Sequence, residues 1–164
     1  MLYSDIRDKM QSGDLLAWRS RTLAGKFIRA VTGYEYSHVG IVWRKASEDG
    51  VDRVFIIEAR EWRGVVIRPA SKALPFSWLS VGIWNQDVED YLFRKLGNRY
   101  DWRSMIRAGL RRKAVVDNAY QCAEFAAMAY IKANVIHRLP QPTPGEIVSL
   151  MENVTKSDII HLTG

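Results

Sequence analysis

Cysteine is nearly absent: the 164-residue sequence holds one, Cys122. A single cysteine excludes an internal disulfide framework and any cysteine-rich zinc site. Histidine is sparse as well. His38, His137 and His161 stand far apart, without the short spacing of metal-ligand pairs, so neither a metal nor another cofactor is expected. Apolar runs are short, the one at 54–57 being typical, far below the roughly 20 residues a membrane-spanning helix needs. The opening residues, Met1 to Asp8, hold no apolar stretch of the kind a secretory signal carries, so cytoplasmic synthesis without a signal peptide is expected. Gly/Ser linkers and internal repeats are missing too. Three of the five prolines crowd into 139–145, near the C-terminal end. They read as a turn before a last helix, so one domain over 1–164 is expected.

What is present suits a packed core: 48% hydrophobic residues, 26% charged and six Trp, a globular balance that argues against disorder and low complexity. The charge is lopsided, 24 basic against 18 acidic residues, for a net +6. Such an excess fits contact with nucleic acid, a membrane surface or an acidic cell-wall polymer, and equally a solvated basic surface. Zinc-finger spacing and an aromatic RNA-binding pattern are absent, so no specific nucleic acid is expected as partner.

Along the chain, 4–10 reads as a short helix and 15–18 as a candidate strand. Apolar residues Leu23, Phe27, Ile28 and Val31 repeat at helical spacing, with Thr22 as N-cap and Gly33 as stop. Strand-like runs follow at 38–43, 53–58, 64–68 and 79–84. From 87 onward the pattern turns helical, at 88–96, 101–112, 120–134 and 144–153. Strands grouped between helices predict an α+β fold around a mostly antiparallel central sheet.

Two residues in the hairpin 38–58 invite chemistry. His38 opens one strand and Glu58 closes the next. If Trp43 faces Arg53, His38 faces Glu58 on the same side of the sheet. A carboxylate there would bond one ring nitrogen and aim the other outward. A one-residue slip would send Glu58 to the opposite face. Cys122 opens a run rich in Ala, Phe and Met, and Asn118 with Gln121 resembles a capping box. That predicts Cys122 in the first turn of a helix, where the dipole and an adjacent imidazolium favour the thiolate. The alternatives are structural: a small buried thiol, a strand-edge histidine and a solvated glutamate. Jointly, the three make a Cys–His–carboxylate arrangement.

An ordered set of short segments carries a family resemblance. These are Gly13-Asp14-Leu15-Leu16, Tyr36-Ser37-His38-Val39-Gly40-Ile41-Val42, Ile57-Glu58-Ala59 followed by Gly64-Val65, Leu96-Gly97-Asn98-Arg99-Tyr100-Asp101, Tyr120-Gln121-Cys122-Ala123-Glu124-Phe125, and Thr143-Pro144-Gly145. Together they resemble the circularly permuted papain-like fold of the NlpC-type superfamily, in its YiiX-like branch, with the lecithin–retinol acyltransferases as more distant relatives. The order His38 before Cys122 is that of the permuted branch. The resemblance covers roughly 12–150. It implies a cysteine peptidase- or amidase-like hydrolase, or an acyltransferase, working through a thioester. Cys122 would be the nucleophile, helped by its own N–H at the oxyanion. His38 would be the base and Glu58 its orienting partner. Tyr36 and Tyr120 lie beside the motifs and would line the site, or simply pack. The substrate class is a peptide, peptidoglycan or lipid-like amide, ester or thioester. A phage-encoded enzyme acting on a host envelope fits the same reading. All three triad residues are expected at a partly open cleft.

Arg103, Arg107 and Arg111 share one face of the predicted 101–112 helix. That face would meet an anionic surface, or only solvent. Lys26 and Arg29 beside the apolar stripe of 22–31 raise a membrane-surface helix as an alternative to packing. Two rivals to the enzyme stand: a non-catalytic binding module of the same fold, and a basic envelope- or RNA-binding protein with an incidental thiol.

Overall fold

The computed structural model describes residues 1–46, 50–60, 63–98, 111–137, 139 and 142–163, without the side chains of 24 and 111–121. It is an α+β fold. The elements are α1 (Tyr3–Ile6), β1 (Leu15–Trp18), α2 (Leu23–Thr32), β2 (His38–Lys45), β3 (Arg53–Arg60), β4 (Gly64–Pro69), β5 (Phe76–Leu79), α3 (Gln86–Arg94), α4 (Arg111–Lys132), α5 (Pro144–Thr155) and β6 (Ile160–Leu162). The six strands form one antiparallel sheet in the order β4-β3-β2-β1-β5-β6.

Both faces of the sheet are covered. Leu15, Ala17, Val39, Ile41, Ile57 and Leu79 pack against Cys122, Phe125 and Ala126 of α4, with α3 and α5 completing that layer. On the other face Leu16, Trp18, Val42, Ile56 and Phe76 pack on Ile6 and Met10 from the N-terminal segment. This double cover explains why β1 reads as four consecutive buried residues rather than an alternation.

The helix ends follow from their caps. Thr22 accepts from Gly25 N–H, and α2 stops at Gly33, whose φ of 72° is open to glycine at little steric cost. Asn85 caps α3 by accepting from Val88 N–H. Thr143 and Glu146 form a reciprocal capping box on α5, with Pro144 in its first turn.

Two expectations need correction. The fourth strand lies at Phe76–Leu79, not 79–84. The N–H groups of Val81 and Gly82 donate to the buried Asp14 carboxylate at 2.8 and 2.7 Å, so they are unavailable to a ladder and the chain turns away. The helix expected to begin near residue 120 instead runs from Arg111. Asn118 and Gln121 therefore lie inside α4 rather than at the start of a helix. Of the expected 101–112 helix, 101–110 fall outside the described residues. No described helix is long and apolar enough to cross a membrane.

Candidate active site

The β2–β3 register sets the site. Ile41 pairs with Ile57 and Trp43 with Phe55, two residues from the pairing expected. A shift of two preserves the face, so Glu58 stays on the side of His38. It sits beside Gly40, where an added Cβ would stand 3.1 Å from Glu58 Cβ and 2.9 Å from Ile56 Cγ2. The missing side chain at Gly40 gives the carboxylate room to lean diagonally toward His38.

The contact is short: His38 Nε2 and Glu58 Oε2 are 2.6 Å apart. The other carboxylate oxygen, Oε1, accepts from Arg68 Nε. Glu58 pairs with Val66 across β3–β4, so Arg68 is its diagonal neighbour on that side. Arg60 Nε lies further off, 3.7 Å from Oε1. Trp18 pairs with His38 across β1–β2, with ring centroids 5.3 Å apart. Arg68 lies over the Trp18 ring, and Trp18 Nε1–H donates to the Ala73 carbonyl at 2.8 Å. The imidazole is thus seated on a tryptophan and tethered by a carboxylate that an arginine holds in turn.

Cys122 approaches from the helix layer and is hydrogen-bonded to His38. With Nε2 occupied by Glu58, Nδ1 is the nitrogen left for the sulfur. His38 is the first residue of β2, so its ring lies at a strand end, within reach of both layers. Burial alone would depress the imidazolium; its charge interaction and hydrogen bond with Cys122, then those with Glu58, outweigh it and raise the His38 pKa to about 10. Burial likewise works against the Glu58 carboxylate, but His38 and then Arg68 hold its pKa below the ordinary range.

The three expected triad residues are therefore together, but two features differ from expectation. Cys122 lies midway along α4. An N–H inside a helix donates to the carbonyl four residues back, so it is not free for an oxyanion, and the dipole at the helix start does not act on this thiol. The cleft is also less open than expected: Glu58 is 0% and Cys122 1% exposed, and only His38 retains appreciable exposure. Tyr36 belongs to the core beneath α4, its hydroxyl donating to Ser77 Oγ at 3.4 Å, rather than to a substrate wall. The side chains of Tyr120 and Arg111, and all of Arg103 and Arg107, lie outside what is described.

A groove of about 730 Å³ opens beside His38 and Glu58. Trp18, Arg19, Arg21, Thr22, Arg60 and Arg68 help to line it. None of these was singled out in the sequence as a site residue, Thr22 having been read only as a helix cap. Arg68 carried the one usable signal, a cation ending the 64–68 strand on the face opposite Val65 and Ile67.

No family model matches the chain, and no curated protein does. Among solved structures, it is similar to the crystal structure of the metalloprotein YiiX from Escherichia coli O157:H7, a DUF1105 protein. The TM-score is 0.54 at 18% identity, over 93% of this chain and 88% of that one. The chain thus has a YiiX-like α+β fold.

Proposed function

We propose that the protein is a cysteine-dependent acyl hydrolase or acyltransferase with a permuted papain-like, NlpC-type site, distantly akin to the lecithin–retinol acyltransferases. One observation carries this reading: a single imidazole is held between the only cysteine and a buried carboxylate, and its pKa is raised to about 10. An imidazole so placed stands where the cation of an imidazolium–thiolate nucleophile is required.

The Cys122 sulfur adds to the carbonyl carbon of an amide, ester or thioester. The bond to the leaving group breaks, and His38 gives that group its proton. The acyl group is then a thioester on Cys122. Water, or an acceptor hydroxyl or amine, attacks it, His38 takes the incoming proton, and the thiolate leaves. Glu58 holds the ring orientation throughout and supports its protonated state. Arg68 keeps Glu58 ionised and in place.

YiiX is a metalloprotein, but the residues around His38 do not fit a metal. Glu58 commits both oxygens, to His38 and Arg68, and the guanidiniums of Arg60 and Arg68 would repel a cation. Among the described residues no three His, Cys, Asp or Glu side chains gather as a ligand set.

The test is labelling of Cys122 with a thiol-directed electrophile at pH 6, followed by turnover across amide, ester and thioester substrates. A thiolate sustained by His38 reacts at that pH, and His38→Ala abolishes the reaction. One observation favours the rival binding module: at 1% exposure the sulfur meets a carbonyl only after local opening. An unreactive thiol in folded protein, with no turnover on any of the three classes, would select that reading.

A further inference from the structure

Helix α2 turns apolar side chains away from the protein. Its inner face is made by Gly25 and Ile28, both buried. The backbone at Gly25 lies so close to the preceding loop that an added Cβ would stand 2.4 Å from Ser20 Cβ. Leu23, Phe27, Ala30 and Val31 recur at i, i+4, i+7 and i+8, the repeat of a single helix face. That face is the outer one. Leu23 is 86% and Val31 55% exposed, Ala30 is exposed and Phe27 half-buried. Tyr34, which follows the Gly33 stop, is exposed as well. Of the stripe Leu23, Phe27, Ile28 and Val31 read from the sequence, only Ile28 is buried. The remaining large apolar side chains exposed among the described residues lie elsewhere, at 1, 2, 51 and 154.

The charge around this face has one sign. Residues 19–34 include Arg19, Arg21, Lys26 and Arg29 and no acidic residue. Lys26 is exposed and borders the stripe, three positions after Leu23 and four before Ala30. Arg29 follows on the same side of the helix. Among the described residues neither Lys26 nor Arg29 makes an ion pair. Glu35, the next acidic residue, is committed to Arg19 at 2.5 Å.

We infer that α2 is a docking surface for an anionic lipid membrane. The helix lies along the interface, with Leu23 and Val31 at the acyl boundary and Lys26 and Arg29 among the headgroups. An apolar ridge with a cationic flank suits such a surface twice over: the ridge gains by leaving water, and the flank gains from the negative surface potential. A second copy of the chain fits less well, because a two-fold contact through this face would set its cations against one another. The helix is already formed, capped by Thr22 and stopped at Gly33, so docking does not have to order it. The inference does not rest on the hydrolase reading.

The experiment is co-sedimentation of the full chain with vesicles of phosphatidylcholine and phosphatidylglycerol in equal parts, against vesicles of phosphatidylcholine alone. The wild-type protein should bind the anionic vesicles, less so as salt is added. Leu23→Gln with Val31→Gln should lower the partition constant by roughly tenfold or more. Lys26→Gln with Arg29→Gln should lower it by about tenfold. Circular dichroism checks that both pairs fold, and Leu23→Gln alone, at the most exposed position, should already weaken binding. Absence of wild-type binding to the anionic vesicles would overturn the proposal, as would equal binding to both kinds of vesicle. So would a partition constant unchanged by Leu23→Gln and Val31→Gln, which would trace the binding to the net charge of +6 rather than to α2. A lipid-free dimer in sedimentation velocity that Leu23→Gln dissociates would reassign the face to a second copy. Vesicle binding involves no turnover, so this inference and the hydrolase reading fail separately.

Discussion

Glu58 is fully buried with His38, Arg60 and Arg68 around it, and that makes it the residue on which both structure and chemistry turn. Glu58→Ala leaves cations without their counter-charge and should cost about 3–5 kcal/mol in a denaturant titration. Glu58→Gln retains a hydrogen bond and should cost less, while lowering turnover. Cys122→Ala costs about 1 kcal/mol in lost packing and also removes the interaction that most raises the His38 pKa. Its turnover on any acyl substrate should vanish, since no second thiol exists. The pH dependence has a sign fixed by His38. Its folded pKa, about 10, exceeds its ordinary 6.5. The contribution is therefore full below 6.5, declines as pH rises, and is gone above 10. Glu58 is the opposite case: with its pKa held low, its contribution is present above the ordinary carboxylate range and lost as pH falls through the folded value. Melting temperatures measured from pH 6 to 10 should show a decline in the wild type that is flatter in His38→Ala. Parallel profiles would show that His38 carries no such linkage.

At the level of elements, Gly40 on β2 is the test of how the site is made. A methyl there meets Ile56 and the Glu58 Cβ inside normal contact distance. Gly40→Ala should destabilise the protein by about 1–3 kcal/mol. It should also push Glu58 off His38, visible as slower Cys122 labelling at pH 6 even though no triad residue has changed. Much of this layer was legible in the sequence. Thr22, Gly33, Thr143 and Glu146 announce helix ends through local chemistry, and β2, β3 and β4 announce themselves through apolar runs and turns. What was not legible depended on distant residues. The β2–β3 register differed by two because the ladder is set by cores on both faces, which hairpin arithmetic does not see. The end of β5 was missed because a side chain 67 positions away, Asp14, takes its backbone donors. Three-residue β6 offers too little pattern to read. His38 and Glu58 were found because one hairpin holds both. Arg68 was missed because its partner is defined only once β4 is paired.

For the whole molecule, the decisive feature is the place of β1, the first strand in the chain yet flanked by β2 and β5 in the middle of the sheet. Its four residues are completely covered, and Leu15 alone touches partners as far along as residue 41 on one side and residue 79 on the other. During synthesis, then, β1 has both edges paired only once Phe76–Leu79 has been made. A nascent chain that ends before Phe76 has one edge of Leu15–Trp18 bare, with its apolar side chains and its backbone donors both unsatisfied. The seat of His38 is assembled on that same strand, through Trp18, so a partly made chain has neither a closed sheet nor a supported imidazole. Structure and the proposed reactivity therefore arrive together, and a chain that ends before Phe76 should be cut by proteases before it could act on any acyl substrate.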